Sequence, residues 1–411
     1  MMVEEKAAYR WSMLVNLFLI NFVFNGFVVV VMPTLFPLIS SEIGLDYTQM
    51  GLIWGALPLG MLLFSLIGGV AADRLGVKKV ISTALIFAAL FGGLRGFADS
   101  FWTLWLLMFL MGVSYGFIVP NLTKGVAMWF GPSELSRANG ILLMGAIIGS
   151  GLGMMLGVPA AKALGNWQNV MFVGGVVALA LWVLWLVAAR ERQPTEVMAE
   201  LAKVRPKVMQ GLLQVFSVKE MWLFCFIELV AVGSLIALIG IIPSFMVEKG
   251  MSPIQAGIFV SLITWTNLIG TLLGSWLSDR IGLRKVFIWP FLFANIPLLF
   301  LIPILWGWSL YLVWCLSGIM VGFAMPQLRS VIMEIKEIGP ALSGSAFGGI
   351  FTFNRIGGFL MPWFTGLVME AISAAAGVFL IASVTLIPPI LVLYARETGH
   401  RVTGTTKIHS H

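Results

Sequence analysis

Charge is what this sequence lacks most. Only 10% of its 411 residues are Asp, Glu, Lys or Arg, against roughly a quarter in soluble domains. Histidine is nearly absent too. His400, His409 and His411 all fall in the final polar stretch, so no histidine is placed to relay a proton or hold a metal within the apolar body. The two cysteines, Cys225 and Cys315, lie in apolar runs without the spacing of a metal or redox site, which assigns them to packing. There is no phosphate-binding loop, histidine cluster or nucleophile elbow. An enzyme is disfavoured, no cofactor is expected, and a primary pump is disfavoured by the lack of a nucleotide-binding domain in the chain.

What is present is apolar surface. Hydrophobic residues make up 59% of the chain, with mean hydropathy +0.99. Apolar segments run at about 11–37, 50–71, 79–97, 101–123, 138–160, 169–189, 221–247, 254–278, 285–305, 309–328, 342–369 and 376–395. Each is long enough for a hydrocarbon core of roughly 30 Å. The first is too long for a signal-peptide core and is followed by further spans. The expected fold is an all-α membrane protein of about twelve transmembrane helices, embedded in the lipid bilayer.

The net charge of +7 is a matter of topology rather than of nucleic-acid binding. With the N-terminus inside, Lys6, Arg10, Arg74, Lys78, Lys79, Lys124, Arg137, the stretch 190–219, Arg280, Arg284, Lys285, Arg329 and Lys336 share one side. Only Arg95, Lys162 and Lys249 fall near the other. This positive-inside bias puts both termini in the cytoplasm of a cell (inner or plasma) membrane protein. The longest polar interruption, 190–220, contains Pro194 and Pro206 and reads as a cytoplasmic linker with a short surface helix. It divides the chain into 1–189, 221–400 and a polar tail, 401–411.

A repeat runs through the sequence. Asp73-Arg74-Leu75-Gly76-Val77-Lys78-Lys79 returns as Asp279-Arg280-Ile281-Gly282-Leu283-Arg284-Lys285, an offset of 206 residues. At the same offset Gly112, Gly116, Pro120 and Leu122 return as Gly318, Gly322, Pro326 and Leu328, and Pro37 as Pro243. Agreement at several separate points in one register marks a duplicated unit, giving two pseudo-symmetric six-helix bundles in parallel topology.

Gly69 followed by Asp73-Arg74-x-Gly76-x-Lys78-Lys79 resembles the hallmark loop of the major facilitator superfamily, with a degenerate copy at Asp279, Arg280, Gly282 and Arg284. The resemblance covers nearly the whole chain. It implies a secondary transporter working by alternating access, monomeric by the superfamily's default. It also implies a gating role for Asp73, whose carboxylate would meet the N-terminus of helix 11, and for Arg74. Gly76 permits the tight reversal, and Asn121 and Gln327, each after a proline, resemble gate elements. Small residues at Gly145, Gly149, Gly153 and Gly157, and at Gly344, Gly348, Gly358 and Gly366, suit close helix packing.

Two ionisable residues lie deep within spans, Glu228 and Arg355. Such residues usually face a partner or a cavity. Three readings compete: a structural ion pair, Arg355 binding an anionic substrate in a bidentate fork, and Glu228 carrying a coupling proton. The last two are compatible and would give anion:proton symport. Asn21 and Asn25 in span 1, Thr264, Trp265 and Asn267 in span 8, and Asn354 in span 11 complete the candidate substrate site. The arginine that many proton-coupled members carry early in span 4 is missing, with Met108 near its place. Spans 2 and 8 lack the arginines of the nitrate/nitrite branch. The expected function is transport of a small organic or inorganic anion, monocarboxylate-like, with proton coupling. A multidrug or sugar exporter, or a receptor or scaffold that has lost transport, are the alternatives.

Overall fold

The computed structural model describes residues 2–191, 208–335 and 337–399. No strand occurs among them. The all-α expectation agrees with what is seen: ten helices are long and apolar enough to cross a bilayer. Two further apolar helices occupy the places of spans 9 and 11. Lys285–Leu301 is shorter, and the 33-residue helix Gly339–Ala371 is less apolar because Asn354, Arg355 and several glycines dilute it.

The described residues fall into two compact units. The first gathers the described part of 1–199 with Ile239–Ser261, and the second the described part of 200–238 with the described part of 262–411. In the first unit, α1 (Met2–Val23) passes through a π-helical turn (Phe24–Val30) into α2 (Val31–Ile43). Then come α3 (Tyr47–Leu75), α4 (Val77–Leu94), α5 (Phe101–Trp129), α6 (Pro132–Leu164) and α7 (Trp167–Ala188). The second half of α9 (Lys219–Glu248) joins this unit. Gly240 lies against Trp54, and the Tyr47 hydroxyl donates to Glu248 Oε2 at 2.5 Å.

The second unit contains α8 (Val208–Phe216), the first half of α9 and most of α10 (Pro253–Ile281). It continues with α11 (Trp289–Leu301), α12 (Gly307–Glu334), α13 (Gly339–Ala371), α14 (Ala374–Val384) and α15 (Ile387–Tyr394). The short helix expected in the linker is α8; residues 192–207 of the linker, the tail 401–411, Lys336 and all three histidines lie outside the described residues.

The duplication is visible in how the helices touch. The Cβ that Gly112 lacks would strike the Leu57 backbone of α3, and that of Gly318 the Ile263 backbone of α10. Leu57 and Ile263 are themselves 206 apart. Gly116 meets Phe64 and Ser65, and Gly322 meets Gly270 and Thr271, again at the same offset. Without lipid-excluding forces between helices, such backbone contact is what holds neighbours together in a bilayer.

The first glycine stripe has a specific partner. Gly145, Gly149, Gly153 and Gly157 on α6 receive Phe18, Phe22, Gly26 and Thr34 of the first span, all within the first unit. On α13 the close approach is instead at Gly357, against Leu229, whereas Gly344 and Gly348 face open space. The reason is angular. Residue 357 lies about 100° around the helix from 358, so the face carrying Gly344, Gly348 and Arg355 is not the one that packs on α9.

Candidate functional site

The loop motif is built the same way twice. Gly76 ends α3 with φ +89°, and Gly282 ends α10 with φ +77°, a backbone region that favours glycine. Behind each, a carboxylate takes the first free N–H groups. Glu191 Oε1 and Oε2 accept from the backbone N–H of Val77 and Lys78 at 3.0 and 2.8 Å. Glu397 Oε1 and Oε2 accept from those of Arg284 and Lys285 at 2.7 and 3.0 Å. A negative group at the positive end of a helix is favoured. These two glutamates were missed in the sequence, although Ala189-Arg190-Glu191 and Ala395-Arg396-Glu397 repeat at the same offset of 206.

The side chains on the two loops then diverge. Asp73 pairs with Lys124 in the first unit. In the second, Arg284 is a hub: it donates to Asp279 Oδ1 at 2.6 Å, Gln327 Oε1 at 3.2 Å and Glu334 Oε1 at 3.0 Å. Burial alone would lower its pKa, but the hydrogen bonds to Asp279 and Glu334 outweigh it and raise it, so Arg284 stays charged. Arg280 stacks over Trp276 at 5.5 Å. Asn121, fully buried, donates to the carbonyls of Gly68 and Phe117 at 3.0 and 2.8 Å, tying α5 to α3 one residue after Pro120. A Cβ on Gly69 would meet nothing within 4 Å. Arg74 and the Lys78 side chain are exposed or half-buried at this end.

The span 1 asparagines come together. Asn21 Nδ2 donates to the Leu142 carbonyl at 2.8 Å, and Asn25 Nδ2 donates to Asn21 Oδ1 at 2.7 Å. Asn21 is thereby a clasp onto α6. Asn25, half-buried, sits in the π-helical turn, a form of helix often found at functional sites. Pro33 explains why helical bonding is disturbed here. It has no N–H, so the carbonyl of Val29 in the α register, or of Val28 in the π register, loses its donor.

Arg95 supplies one. Placed in the sequence near the outer side, it is 1% exposed and turned into the first unit. Its Nη2 donates to the Val28 carbonyl, its Nε donates to the Gly92 carbonyl at 3.0 Å, and its Nη1 lies 3.4 Å from Met108 Sδ. A guanidinium thus does lie at Met108, arriving from the preceding span. Arg95→Met would remove the hydrogen bonds to both carbonyls, charge-assisted contacts of about 1.5–3 kcal/mol each. We expect a lower melting temperature in detergent, with Arg95→Lys recovering part of the loss.

In the second unit Glu228 is 1% exposed, and its partner is not Arg355. Asn354 Nδ2 donates to Glu228 Oε2 at 3.0 Å, while Glu228 Oε1 has no hydrogen-bond partner among the described residues. Arg355, half-buried, makes no hydrogen bond or ion pair among the described residues. Glu228 and Arg329 are within its electrostatic range. The ion pair considered from sequence is therefore not formed. The glutamate is held by an amide, and the guanidinium stands on the open α13 face above Gly348. Asn267 and Trp265 are half-buried on α10, and the Asn267 amide has no partner among the described residues; Thr264 is half-buried beside them.

A family model described as Major Facilitator Superfamily matches residues 17–362 and 224–408. The gallate transporter of Pseudomonas putida is 27% identical over 90% of this chain and 92% of its own length. The hexuronate transporter of Bacillus subtilis (strain 168) is 26% identical over 84% and 85%. The 3-(3-hydroxy-phenyl)propionate transporter of Escherichia coli (strain K12) is 32% identical over 59% of each chain. Among solved structures, a bacterial homolog of the human lysosomal transporter Spinster, inward-facing and occupied, superposes with a TM-score of 0.78. It covers 94% of this chain and 96% of that one at 18% identity, a likeness of fold. Family and relatives alike are transporters, not enzymes. The chain belongs to the major facilitator superfamily and is a multi-pass membrane secondary transporter of a small molecule.

Proposed function

We propose that this transporter moves a small organic anion of the carboxylate class together with a proton, by alternating access. The observation that carries the reading is Arg355, a cation within a span that forms no ion pair with a carboxylate among the described residues. A guanidinium within a span that makes no ion pair is matched by an anion from solution, most directly by a carboxylate that accepts two parallel hydrogen bonds. The relatives' names support the same class, since gallate, hexuronate, sulfoacetate and benzoate are all anions at neutral pH.

Glu228 supports the coupling. While ionised, it competes with a substrate anion for the field of Arg355. Once protonated, it leaves Arg355 free for the substrate, so proton and anion load together. Asn354 orients the glutamate through its amide hydrogen bond. Asn267, Thr264 and Trp265 in the second unit, and Asn25 braced by Asn21 in the first, are the proposed polar and aromatic contacts. The two loops at Asp73 and Asp279, with Arg74, Arg280, Asn121 and Gln327, are the proposed gate. The bundles 1–189 and 221–400 are the proposed moving bodies. We place the protein as a monomer in the cell membrane, both termini cytoplasmic, from its basic loops.

The test is a thermal-shift series on purified protein with benzoate, a hexuronate, a neutral hexose and a lipophilic cation. Stabilisation should follow the anions and grow with concentration as RT ln(1 + [L]/Kd). Stabilisation by the cation or hexose alone would overturn the reading.

A further inference from the structure

The second unit holds a small, partly open cavity of about 30 Å³ between α9, α10, α11, α12 and the broken α14–α15 helix. Its lining is apolar except for Ser234, Asn295, Ser317 and Thr385. Ser234 and Ser317 are each 1% exposed and Asn295 5% exposed. Yet Ser234 Oγ, Ser317 Oγ and Asn295 Oδ1 have no hydrogen-bond partner among the described residues. Three helices thus each bring a residue with an unpaired buried polar atom to the wall of one small space. Buried polar groups are almost always paired, with protein or with ordered water. The space is large enough for water, which needs about 10–15 Å³ on this measure and two to four polar partners.

The backbone points the same way. Between Val384 and Ile387 the last span is interrupted, and Thr385 and Pro388 both line the cavity. Pro388 and Pro389 have no N–H, so the carbonyls of Val384 and Thr385 have no donor four residues on. At membrane depth such irregular backbone is tolerated where it is buried in protein or lines a water-filled cavity.

Glu228 does not line this space but lies about one helical turn from it along α9. Residues 228, 231 and 235 share one face of α9, and Ala231 and Leu235 line the cavity, which begins about 4.5 Å along the axis from Glu228. Glu228 Oε1 is a fourth unpaired buried oxygen. Around the carboxylate lie Asn354, bonded to it, with Arg355 and Cys225 in electrostatic range.

We propose that this cavity holds ordered water bound by Ser234, Asn295 and Ser317, and that this water carries the proton to and from Glu228. The second half rests on the coupling role given to Glu228 above. In the relay, water in the cavity passes one proton to Glu228 Oε1 and is reprotonated by a proton from solution, so the carboxylate alone changes its charge. The ligand is water rather than sodium because no carboxylate lines the cavity.

Radiolytic hydroxyl-radical footprinting of the full chain tests the hydration, because radicals born in ordered water label the side chains beside it. Met325 lines the cavity and Met333, on the same helix, is 58% exposed as an internal reference. Met325 is half-buried, and in the wild type it is expected to be oxidised by radicals from the cavity water. In Ser234→Ala/Asn295→Leu/Ser317→Ala its labelling should fall at least fivefold relative to Met333, and Ser317→Ala alone should give a partial fall if the triple variant does not fold. An unlabelled wild-type Met325, or labelling unchanged in both variants, overturns the proposal. Protection of Met325 by sodium but not potassium overturns it in favour of a cation. In vesicles, Ser234→Ala/Ser317→Ala should slow pH-gradient-driven benzoate uptake about tenfold and leave benzoate exchange unchanged. Equal slowing of both, or of neither, overturns the relay. Glu228→Gln separates the two readings: full proton coupling with Met325 still labelled in that variant refutes the role of Glu228, while the water site stands.

Discussion

Arg355→Ala is expected to remove anion-dependent stabilisation and to weaken anion transport about 10- to 100-fold. The size follows from losing the proposed charge-assisted hydrogen bonds to the substrate, about 1.5–3 kcal/mol, at 1.4 kcal/mol per factor of ten. Arg355 forms no ion pair among the described residues, so its removal costs only its longer-range attraction to Glu228, and the melting temperature without ligand should change little. Arg355→Lys keeps the charge but not the planar fork, and should retain weak binding with poorer discrimination among anions. The measurement is substrate-dependent thermal shift beside initial uptake rates in vesicles. An alanine variant that still binds benzoate as the wild type does would remove Arg355 from the site.

Glu228→Gln is the second large effect. Glutamine keeps the shape and the acceptor for Asn354 Nδ2, now 3.0 Å from Glu228 Oε2, but cannot release a proton. Substrate exchange, which moves no net proton, should continue. Accumulation driven by a pH gradient should fall to the level reached without a gradient. Folding should not suffer, because a neutral amide avoids the cost of a carboxylate with one unpaired oxygen in a buried position. Proton movement measured with a pH-sensitive dye should stop in the variant when benzoate is added. Unchanged acidification would exclude Glu228 as the carrier.

Both effects centre on residues that stood out as charges in apolar spans, and that much was legible in the chain. What the residues do to each other was not. Glu228 and Asn354 are 126 positions apart in sequence and meet through one hydrogen bond. Only the rotation of α13 decides that Asn354, and not its neighbour Arg355, faces the glutamate. The glycines show the same limit. The spacing of Gly344, Gly348 and Gly358 looked like a packing stripe, but Gly357 is the residue that meets α9.

Arg95 is the sharpest case. From its position it is one more basic residue near the end of a span. Folded, it is fully buried and bonded to the carbonyl of Val28, 67 residues away. Nothing periodic announces such a contact, because it depends on a π-helical turn and on a proline that withholds its N–H. The cavity is likewise invisible in sequence, since its polar atoms come from Ser234, Asn295 and Ser317 on three separate helices.

By itself, then, the chain determined the properties that are local or repeated: apolar lengths that must span a bilayer, basic loops, and a duplication at one constant offset that includes the unnoticed pair Glu191 and Glu397. Those properties need only neighbours along the chain, or a copy to compare. Tertiary structure alone decided that Arg355 forms no ion pair among the described residues, that Arg95 turns inward, and that three residues with polar atoms unpaired among the described residues line one cavity. Each is set by helix rotation, and a rotation of one residue, about 100°, exchanges a partner for open space.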